Sequence, residues 1–288
     1  MKHQVILGAL LGLLGTLFFA FQTVLVKAFA ATLPPLPVVI FIQNSVALAC
    51  ILPFMFSHSF NEGLKAMRTL HPWLQTLRAI FSLSLGFLLY HAVQRIPLVD
   101  AVLLANTTPL IVPLIAFLFF SEKITPRFWL PAIIGFIGII IVLRPGIQIV
   151  NTASLFALGA AVCSATALVL VRHAKYDSPN TSSFYFFLLS AVISGVIAAF
   201  YWKSFTQNSA KIMISIGICF FLSQYFITCA LKLANARLVG LLLYTNIAFS
   251  AILAAVIWHE YPAIYTYIGI ALIVMSGIFC IRVESVSE

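Results

Sequence analysis

The chain is an almost unbroken series of apolar stretches, each about 20 residues long and separated from the next by a few polar residues. A helix that crosses the hydrocarbon core of a bilayer needs roughly 20 such residues. A soluble helix of this apolarity would have no polar face to turn toward water, whereas lipid requires none. Only 8% of the residues are charged, against roughly 25% in soluble domains. The sequence therefore predicts an all-α, polytopic membrane protein.

Pro, Gly and charged residues interrupt the apolar stretches and mark the connections between predicted spans. About ten spans of 20 residues each would use nearly the whole chain, so no extramembrane domain of useful size is expected. The first stretch, Val5 to Val26, is longer than a signal-peptide core, and we expect it to remain as the first span. The predicted spans lie near residues 4–27, 36–57, 73–93, 98–120, 127–143, 153–173, 181–202, 210–232, 238–258 and 263–282.

The formal net charge of +9 comes from 16 Lys and Arg residues that stand singly between the apolar stretches. Because they do not cluster, they argue against a nucleic-acid partner and for contacts with the surface of a lipid bilayer. Counted on alternate sides of the predicted spans, roughly twice as many fall on one side as on the other. We therefore expect a multi-pass protein of the cell (inner) membrane with both termini in the cytoplasm.

The cysteine, histidine and serine residues do not form a known catalytic or metal-binding motif. The five cysteines fall within predicted spans without a CxxC motif, and the six histidines lie at or near span ends. HExxH and GxSxG motifs are absent. These observations argue against an intramembrane enzyme such as a protease or prenyltransferase, and no cofactor or metal is expected.

An internal repeat is visible when the chain is aligned with itself. Glu122 aligns with Glu260 and Arg144 with Arg282, because 260 − 122 and 282 − 144 are both 138. Each copy would contain five spans, and an odd number forces the second copy to enter the membrane from the opposite face. The sequence thus predicts ten transmembrane helices arranged as two inverted five-helix repeats, residues 1–146 and 147–288.

The segment from Leu77 to Gly146 resembles the EamA-type half of the drug/metabolite transporter superfamily. In the first half the likeness rests on Arg78, the sequence RIPLVDA at the start of span four, Pro109, Glu122, Gly135, Gly138 and the closing RPG. The second half is similar through Tyr244, Glu260 and Gly277.

This resemblance implies a basket of ten helices, two inverted repeats around a central cavity, that carries small metabolites and often amino acids. Many members of the family have an Arg in span two. Here the sequence FIQNSVAL places the neutral amides Gln43 and Asn44 there instead. A substrate contact through that arginine is therefore not transferred to this chain.

One face of span three is polar or small, because Arg78, Ser82, Gly86 and Tyr90 recur every four residues. Arg78 could bind the carboxylate of a zwitterionic substrate. Alternatively, since it lies about 7.5 Å inside Trp73, its side chain could extend to the lipid headgroups.

Span four contains Asn106 and Thr107 beside Pro109, with Pro113 one turn further on. Each proline removes a backbone hydrogen bond and would free the carbonyls of Ala105 and Pro109 in the membrane. Free carbonyls beside an amide suit a binding site. The alternative is a kink whose carbonyls accept hydrogen bonds from Thr side chains.

Under the repeat offset, Asn106 corresponds to Tyr244. Spans three, four, eight and nine would then line one cavity, which side chains of the first two spans could join. For each amide in this set, a hydrogen bond between helices is the competing interpretation. The predicted substrate-binding residues are Gln22, Gln43, Asn44, Arg78, Asn106, Thr107, Gln224, Tyr225, Tyr244 and Asn246.

No acidic residue lies at the centre of a predicted span, and Asp100 falls near the outer end of span four. A carboxylate relay, the usual device for proton coupling, is therefore missing. Glu122 and Glu260 stand at span ends, where we expect structural roles near Arg127 and Tyr261.

Gly8 with Gly12, and Gly135 with Gly138, predict close helix contacts within one chain rather than a dimer. A monomer or weak homodimer is expected.

Three functions are compatible with these sequence features. The first is secondary transport of a small-molecule substrate, an amino acid or related zwitterion, with export favoured by the family resemblance. The second is uptake of a larger nutrient such as S-adenosylmethionine, for which the 14% aromatic residues could supply stacking surfaces. The third is a scaffold without transport, which should lack a polar cavity.

Overall fold

The computed structural model describes residues 2–55, 69, 71–120, 129–143, 152–173, 179–233 and 242–284. Within these ranges all regular structure is helical, which confirms the all-α class. The helices of this part of the chain are α1 (Lys2–Ala28), α2 (Leu36–Met55), α3 (Pro72–Val93), α4 (Leu98–Ala105), α5 (Thr108–Phe120), α6 (Trp129–Leu143), α7 (Thr152–His173), α8 (Pro179–Phe200), α9 (Gln207–Leu233), α10 (Thr245–Trp258) and α11 (Ile264–Glu284).

Helices α1, α2, α3, α7, α8 and α9 are long and apolar enough to cross a membrane by themselves. Shorter apolar helices account for the other predicted spans that fall on described residues. Large apolar side chains cover the outer surface, among them Phe200, Leu118 and Val256, which are 70–84% exposed. Lipid solvates such a surface and water does not. The number of ten spans stays a prediction.

The helices that line the interior form a closed circuit of neighbours. Helix α1 packs on α9, α9 on α2, α2 on α8, α8 on α3, and α3 on α7. Helix α7 in turn packs on α4 and α5, α4 packs on α10, and α10 returns to α1. Helices α6 and α11 pack on each other and reach this ring through α5. The ring places polar side chains of several spans toward a shared interior.

The main pairings are unchanged when the first five predicted spans are exchanged with the last five. The pair α1–α9 then becomes α7–α3, and α9–α2 becomes α3–α8. The pairs α2–α8 and α6–α11 become themselves. Span four is interrupted between Ala105 and Thr108, and span nine is interrupted at Tyr244 before α10 begins. The two breaks lie at corresponding positions of the two halves, because Asn106 and Tyr244 are 138 residues apart.

Glycines allow several of these helices to approach closely. A Cβ at Gly12 would lie 3.0 Å from Leu242, and one at Gly138 would lie 2.9 Å from Ile273. A Cβ at Gly135 would lie 2.3 Å from Leu110. The predicted contacts within one chain are confirmed at these three glycines.

Charged and polar side chains tie together one end of the bundle, which we call the Glu260 face. Lys27 Nζ lies 2.8 and 2.9 Å from the two carboxylate oxygens of Glu260 and 5.0 Å from the centre of the Trp258 ring. Thr266 on α11 donates a hydrogen bond of 2.8 Å to Asp100 on α4. This hydrogen bond joins α11 to α4 at the Glu260 face.

The turn after α10 directs Glu260 toward Lys27. His259 ends the helix in the left-handed region, with φ at 53°, and the Glu260 amide donates to the Ala254 carbonyl. Glu260 is thus paired as expected, but with Lys27 and not through its neighbour Tyr261. Glu122, Arg127 and Arg144 lie outside the described residues.

We expect Gly15→Ala to destabilise the contact between α1 and α9. The new Cβ would lie 2.8 Å from Ile227 Cγ1 and 3.1 Å from the Ser223 carbonyl, so the helices must separate. Overpacking of this kind costs about 1–3 kcal/mol, more than the 0.5–1 kcal/mol that a helix gains from replacing Gly by Ala. Thermal unfolding of the detergent-purified protein should show a lower Tm.

Gly86→Ala is the matched control, because a Cβ there has its nearest neighbour, Ile40 Cδ1, at 4.0 Å. Its Tm should equal or exceed that of the parent. A Gly15→Ala protein as stable as the Gly86→Ala protein would show that α1 and α9 are not in close contact.

Candidate functional site

A hydrogen-bonded network joins the first three helices inside the ring. Gln22 on α1 donates to the hydroxyl of Tyr90 on α3, and this hydroxyl donates to Gln43 on α2. Gln22 Nε2 also lies 3.5 Å from Gln43 Oε1. All three side chains are at most 4% exposed. We call these residues the amide network. Tyr90 is not among the predicted binding residues. Its spacing of four residues from Gly86, on the polar face of span three, is the sequence feature that indicates its position in the network.

The amide network has acceptors left over. Gln22 Oε1 and the neighbouring Asn44 Oδ1 are buried without a hydrogen-bond partner among the described residues, while Asn44 Nδ2 donates 2.8 Å to Ile40 in its own helix. A buried polar atom without a partner costs about 1–3 kcal/mol. A ligand that brings N–H or O–H donors, such as an ammonium group, would remove that cost.

Arg78 lies near the other end of α3 and contacts α8. Its Nη1 donates to the hydroxyl of Ser182 at 2.5 Å and to the Ser182 carbonyl at 3.2 Å. The guanidinium carbon lies 5.0 Å from the centre of the Phe186 ring. Gln75 donates to the same hydroxyl at 3.2 Å. The side chain is thus directed to α8.

Arg78 makes no ion pair with the side chains that the structure describes, and Asp100 and Glu260 lie at the opposite end of the bundle. A guanidinium has five N–H donors, and the contacts with Ser182 use only part of them. This cation can therefore bind the two oxygens of a carboxylate side by side.

An aromatic cluster adjoins Arg78 through Phe186. The Tyr225 ring stacks on Phe221, with centroids 5.5 Å apart, and contacts Phe54 at 5.0 Å. Tyr225 was expected in a polar cavity, but the structure places its ring in this cluster. Phe186 belongs to the same cluster through Phe220. The close succession of aromatic residues in SSFYFFLL and CFFLSQYF was the signal for this feature.

The break in span four satisfies its own carbonyl groups. Asn106 donates 2.7 Å to Val102, and Thr107 donates 2.8 Å to Leu104. The Thr108 hydroxyl donates 3.0 Å to Ala105, a carbonyl that was predicted to be free. At Ala105 the alternative interpretation is therefore correct: a Thr side chain donates a hydrogen bond to the carbonyl that the kink leaves without its backbone partner.

The break in span nine lies against α1 and α4. Thr245, the first residue of α10, is hydrogen-bonded to Thr16 of α1 at 3.0 Å. Tyr244 is 7% exposed and packs in the hydrophobic core, and Asn246 is 2% exposed. In the part of the chain that the structure describes, the Oδ1 atom of Asn246 has no hydrogen-bond partner. Since α4 packs on α10, the two breaks belong to neighbouring helices.

The ten predicted binding residues are thus distributed over three places. Gln22 and Gln43 meet in the amide network, next to Asn44. Arg78 and Tyr225 flank the aromatic cluster, with Gln224 half-buried beside Tyr225 on α9. The four remaining residues, Asn106, Thr107, Tyr244 and Asn246, lie at the two helix breaks.

Known proteins with similar sequences are transporters. The riboflavin transporter of Vibrio cholerae is 26% identical over 288 residues, which cover 99% of this chain and 96% of the relative. The pseudopaline exporter of Pseudomonas aeruginosa is 28% identical over 284 residues and 96% of each chain. The S-adenosylmethionine uptake transporter of Rickettsia felis is 26% identical over 238 residues, 81% of this chain and 79% of the relative.

A solved crystal structure has the same fold, with a TM-score of 0.67 at 20% identity, over 96% of this chain and 97% of that one. The model of the EamA-like transporter family matches residues 6–144 and again residues 151–282. These matches agree with a multi-pass helical bundle that is a transporter and not an enzyme. The chain belongs to the EamA-like transporter family.

Proposed function

We propose that this protein is a secondary transporter for a small polar metabolite that carries a carboxylate, an amino acid or a related zwitterion. It moves this substrate across the cytoplasmic membrane by alternating access, in the direction of export. The observation that carries the proposal is Arg78, a half-buried cation between α3 and α8 with no carboxylate partner in the described part of the chain.

A cation held away from water is costly unless an opposite charge accompanies it. Ser182 and Phe186 reduce this cost by hydrogen bonding and by a cation–π contact, but neither supplies negative charge. The carboxylate of a substrate would supply it and would form a bidentate pair with the guanidinium. Arg78 thus gives the transporter a reason to prefer anionic or zwitterionic solutes.

The amide network supports the second half of the proposal, recognition of an ammonium group. Gln22 Oε1 and Asn44 Oδ1 are acceptors without a partner within the described ranges. Tyr90 stands 12 residues after Arg78 on α3, so their Cα atoms are about 18 Å apart at 1.5 Å per residue. A single amino acid cannot bridge this distance. It would meet the two places in succession as it crosses the membrane.

A second candidate is uptake of a longer metabolite such as S-adenosylmethionine. The same separation favours it, because an extended molecule could contact Arg78 and the amide network together. The aromatic cluster around Phe186 and Tyr225 could then receive a flat ring. The S-adenosylmethionine uptake relative supports this alternative. Radiolabelled uptake into whole cells separates the two candidates.

We also propose that residues 1–146 and 147–288 are inverted repeats, with both termini in the cytoplasm of a cell (inner) membrane protein. The symmetric pairing of helices, the breaks at Asn106 and Tyr244, and the two matches of the family model support this arrangement. Two similar halves of opposite orientation can exchange their packing, which is what alternating access requires. The Glu260 face would then be extracytoplasmic.

Arg78→Gln should weaken binding of a carboxylate substrate about tenfold to 150-fold, because a hydrogen bond to a charged group contributes about 1.5–3 kcal/mol. Thermal-shift screening of the purified protein against a metabolite library would first identify the substrate. Arg95→Gln, an exposed residue beyond α3, is the control with the same change of net charge. Equal affinities for the two variants would mean that Arg78 does not bind substrate.

Asn106→Ala and Tyr244→Phe should each weaken substrate binding about 5- to 150-fold if both breaks face the transport path. A hydrogen bond lost in the membrane leaves a desolvated group and costs about 1–3 kcal/mol. The folded protein recovered from membranes should be unchanged. Normal binding in both variants, or failure of both to fold, would assign these side chains to helix packing.

Cysteines at Lys123 and Tyr261 test the inverted repeats, since these positions are also 138 residues apart. An impermeant thiol reagent added to intact cells should label Tyr261→Cys, and Lys123→Cys only after the membrane is opened. Labelling of both from one side would disprove the inversion.

A further inference from the structure

A cavity of about 650 Å³ opens at the Glu260 face, and none of the ten predicted binding residues lines it. Its walls come from residues 30–36 between α1 and α2, from Gln94 after α3, and from residues 203–209 around the start of α9. Sites for small molecules have volumes of roughly 300–1,000 Å³. The cavity is thus large enough for a metabolite.

The lining combines one cation with hydroxyl groups and an apolar wall. Lys203 contributes the cation, Ser204 and Thr206 contribute hydroxyls, and Leu33 and Phe205 contribute apolar surface. No Asp or Glu is among the lining residues. Within the described part of the chain, Lys203 takes part in neither an ion pair nor a hydrogen bond. Its charge is therefore available to an anion.

Hydrogen bonds hold the two loops of the cavity together before any ligand arrives. Ser209 donates 2.8 Å from its hydroxyl to the carbonyl of Thr32, which joins the start of α9 to the loop after α1. The Ser209 amide is 3.3 Å from the Thr206 hydroxyl, which caps α9. A cavity with fixed walls loses less entropy when it binds.

The cavity and the amide network follow one another along the same helices. The Gln94 amide donates to the carbonyl of Tyr90, one turn away, at 3.4 Å. Leu36 lines the cavity at the start of α2, and Gln43 follows about two turns later. The cavity lining is therefore one to two helical turns, about 6–10 Å along the helix axes, from the amide network.

We infer that this cavity is a second binding site, which holds the carboxylate end of a small metabolite with an apolar body on the extracytoplasmic side. Lys203 pairs with the carboxylate, and Leu33 and Phe205 cover the apolar body. The position of the site on the transport path rests on the proposed function. Binding itself does not, and it is measured without transport.

Ser204→Cys places a thiol in the cavity lining for the test. The purified protein, with its native cysteines, is treated with 2-sulfonatoethyl methanethiosulfonate or with the trimethylammonium analogue. Each rate is corrected for labelling of the parent protein and for the reactivity of a free thiol. The anionic reagent should react faster, and Lys203→Gln should reduce this preference by at least about fivefold, given the attraction of unit charges at about 4 Å in water.

Lys211→Gln is the matched control, because Lys211 lies further along α9 and does not line the cavity. It should leave the preference unchanged. Benzoate should protect Ser204→Cys from labelling, and benzyl alcohol, which has the same ring without the charge, should protect much less. Equal effects of Lys203→Gln and Lys211→Gln, or equal protection by the two solutes, would overturn the inference.

An anionic lipid headgroup carries similar chemistry, and Trp202 beside Lys203 is 53% exposed, as in an interfacial belt. Labelling is therefore repeated in nanodiscs of phosphatidylcholine with and without phosphatidylglycerol. Protection by benzoate in both kinds of nanodisc supports the interpretation of the cavity as a metabolite site. Protection by phosphatidylglycerol with no effect of benzoate would assign Lys203 to lipid and overturn it. No step of this experiment depends on transport. If the protein transported uncharged solutes, the proposed function would be wrong, but the labelling result would still show whether the cavity binds a carboxylate.

Discussion

The hydrocarbon core of a bilayer offers no hydrogen-bond partners, and this constraint organises the molecule. Helices satisfy their own backbone groups, so all regular structure in the described part of the chain is helical. Where span four is broken, the Thr108 side chain donates to the Ala105 carbonyl, and Asn106 and Thr107 add side-chain hydrogen bonds to the Val102 and Leu104 carbonyls, which also accept backbone amides. The break is possible because these short polar residues follow one another at that point.

The same constraint governs charge. Lys27 and Glu260 pair at one end of the bundle, and Asp100 accepts a hydrogen bond at that end too. Arg78 is different, because a hydroxyl, a carbonyl and an aromatic ring of α8 hold this half-buried side chain, which has no acid beside it among the described residues. Uncompensated charge inside a membrane protein is costly and is typically retained where it contacts a substrate.

The helix pairings are consistent with the alternating access that we propose. The ring passes through both halves of the chain, and its pairings are preserved when the halves are exchanged. The interrupted spans lie at corresponding positions, at Asn106 and at Tyr244, and α4 packs on α10. A helix interrupted near its middle can change the direction of one part relative to the other. The two breaks are thus suited to a pathway that opens to one side at a time.

Local properties of the chain were enough to predict its class, the approximate position of its helices and the break near Asn106. Apolar length, proline and short polar residues act on their own neighbourhood, so no knowledge of the fold is needed to interpret them. The sequence also identified Gln22 and Gln43 as polar groups inside the bundle, because any polar residue within an apolar stretch must be accounted for there, but it left the position of the Arg78 side chain open.

Tertiary structure alone decided which of these groups meet. Tyr90 joins Gln22 to Gln43, Arg78 is bound to Ser182 of α8, and Tyr225 lies among phenylalanines and not among amides. Helical spacing shows which residues share a face, but it does not show which face of which helix lies opposite. That depends on the order of helices around the ring, and partners such as Arg78 and Ser182 are 104 residues apart in sequence.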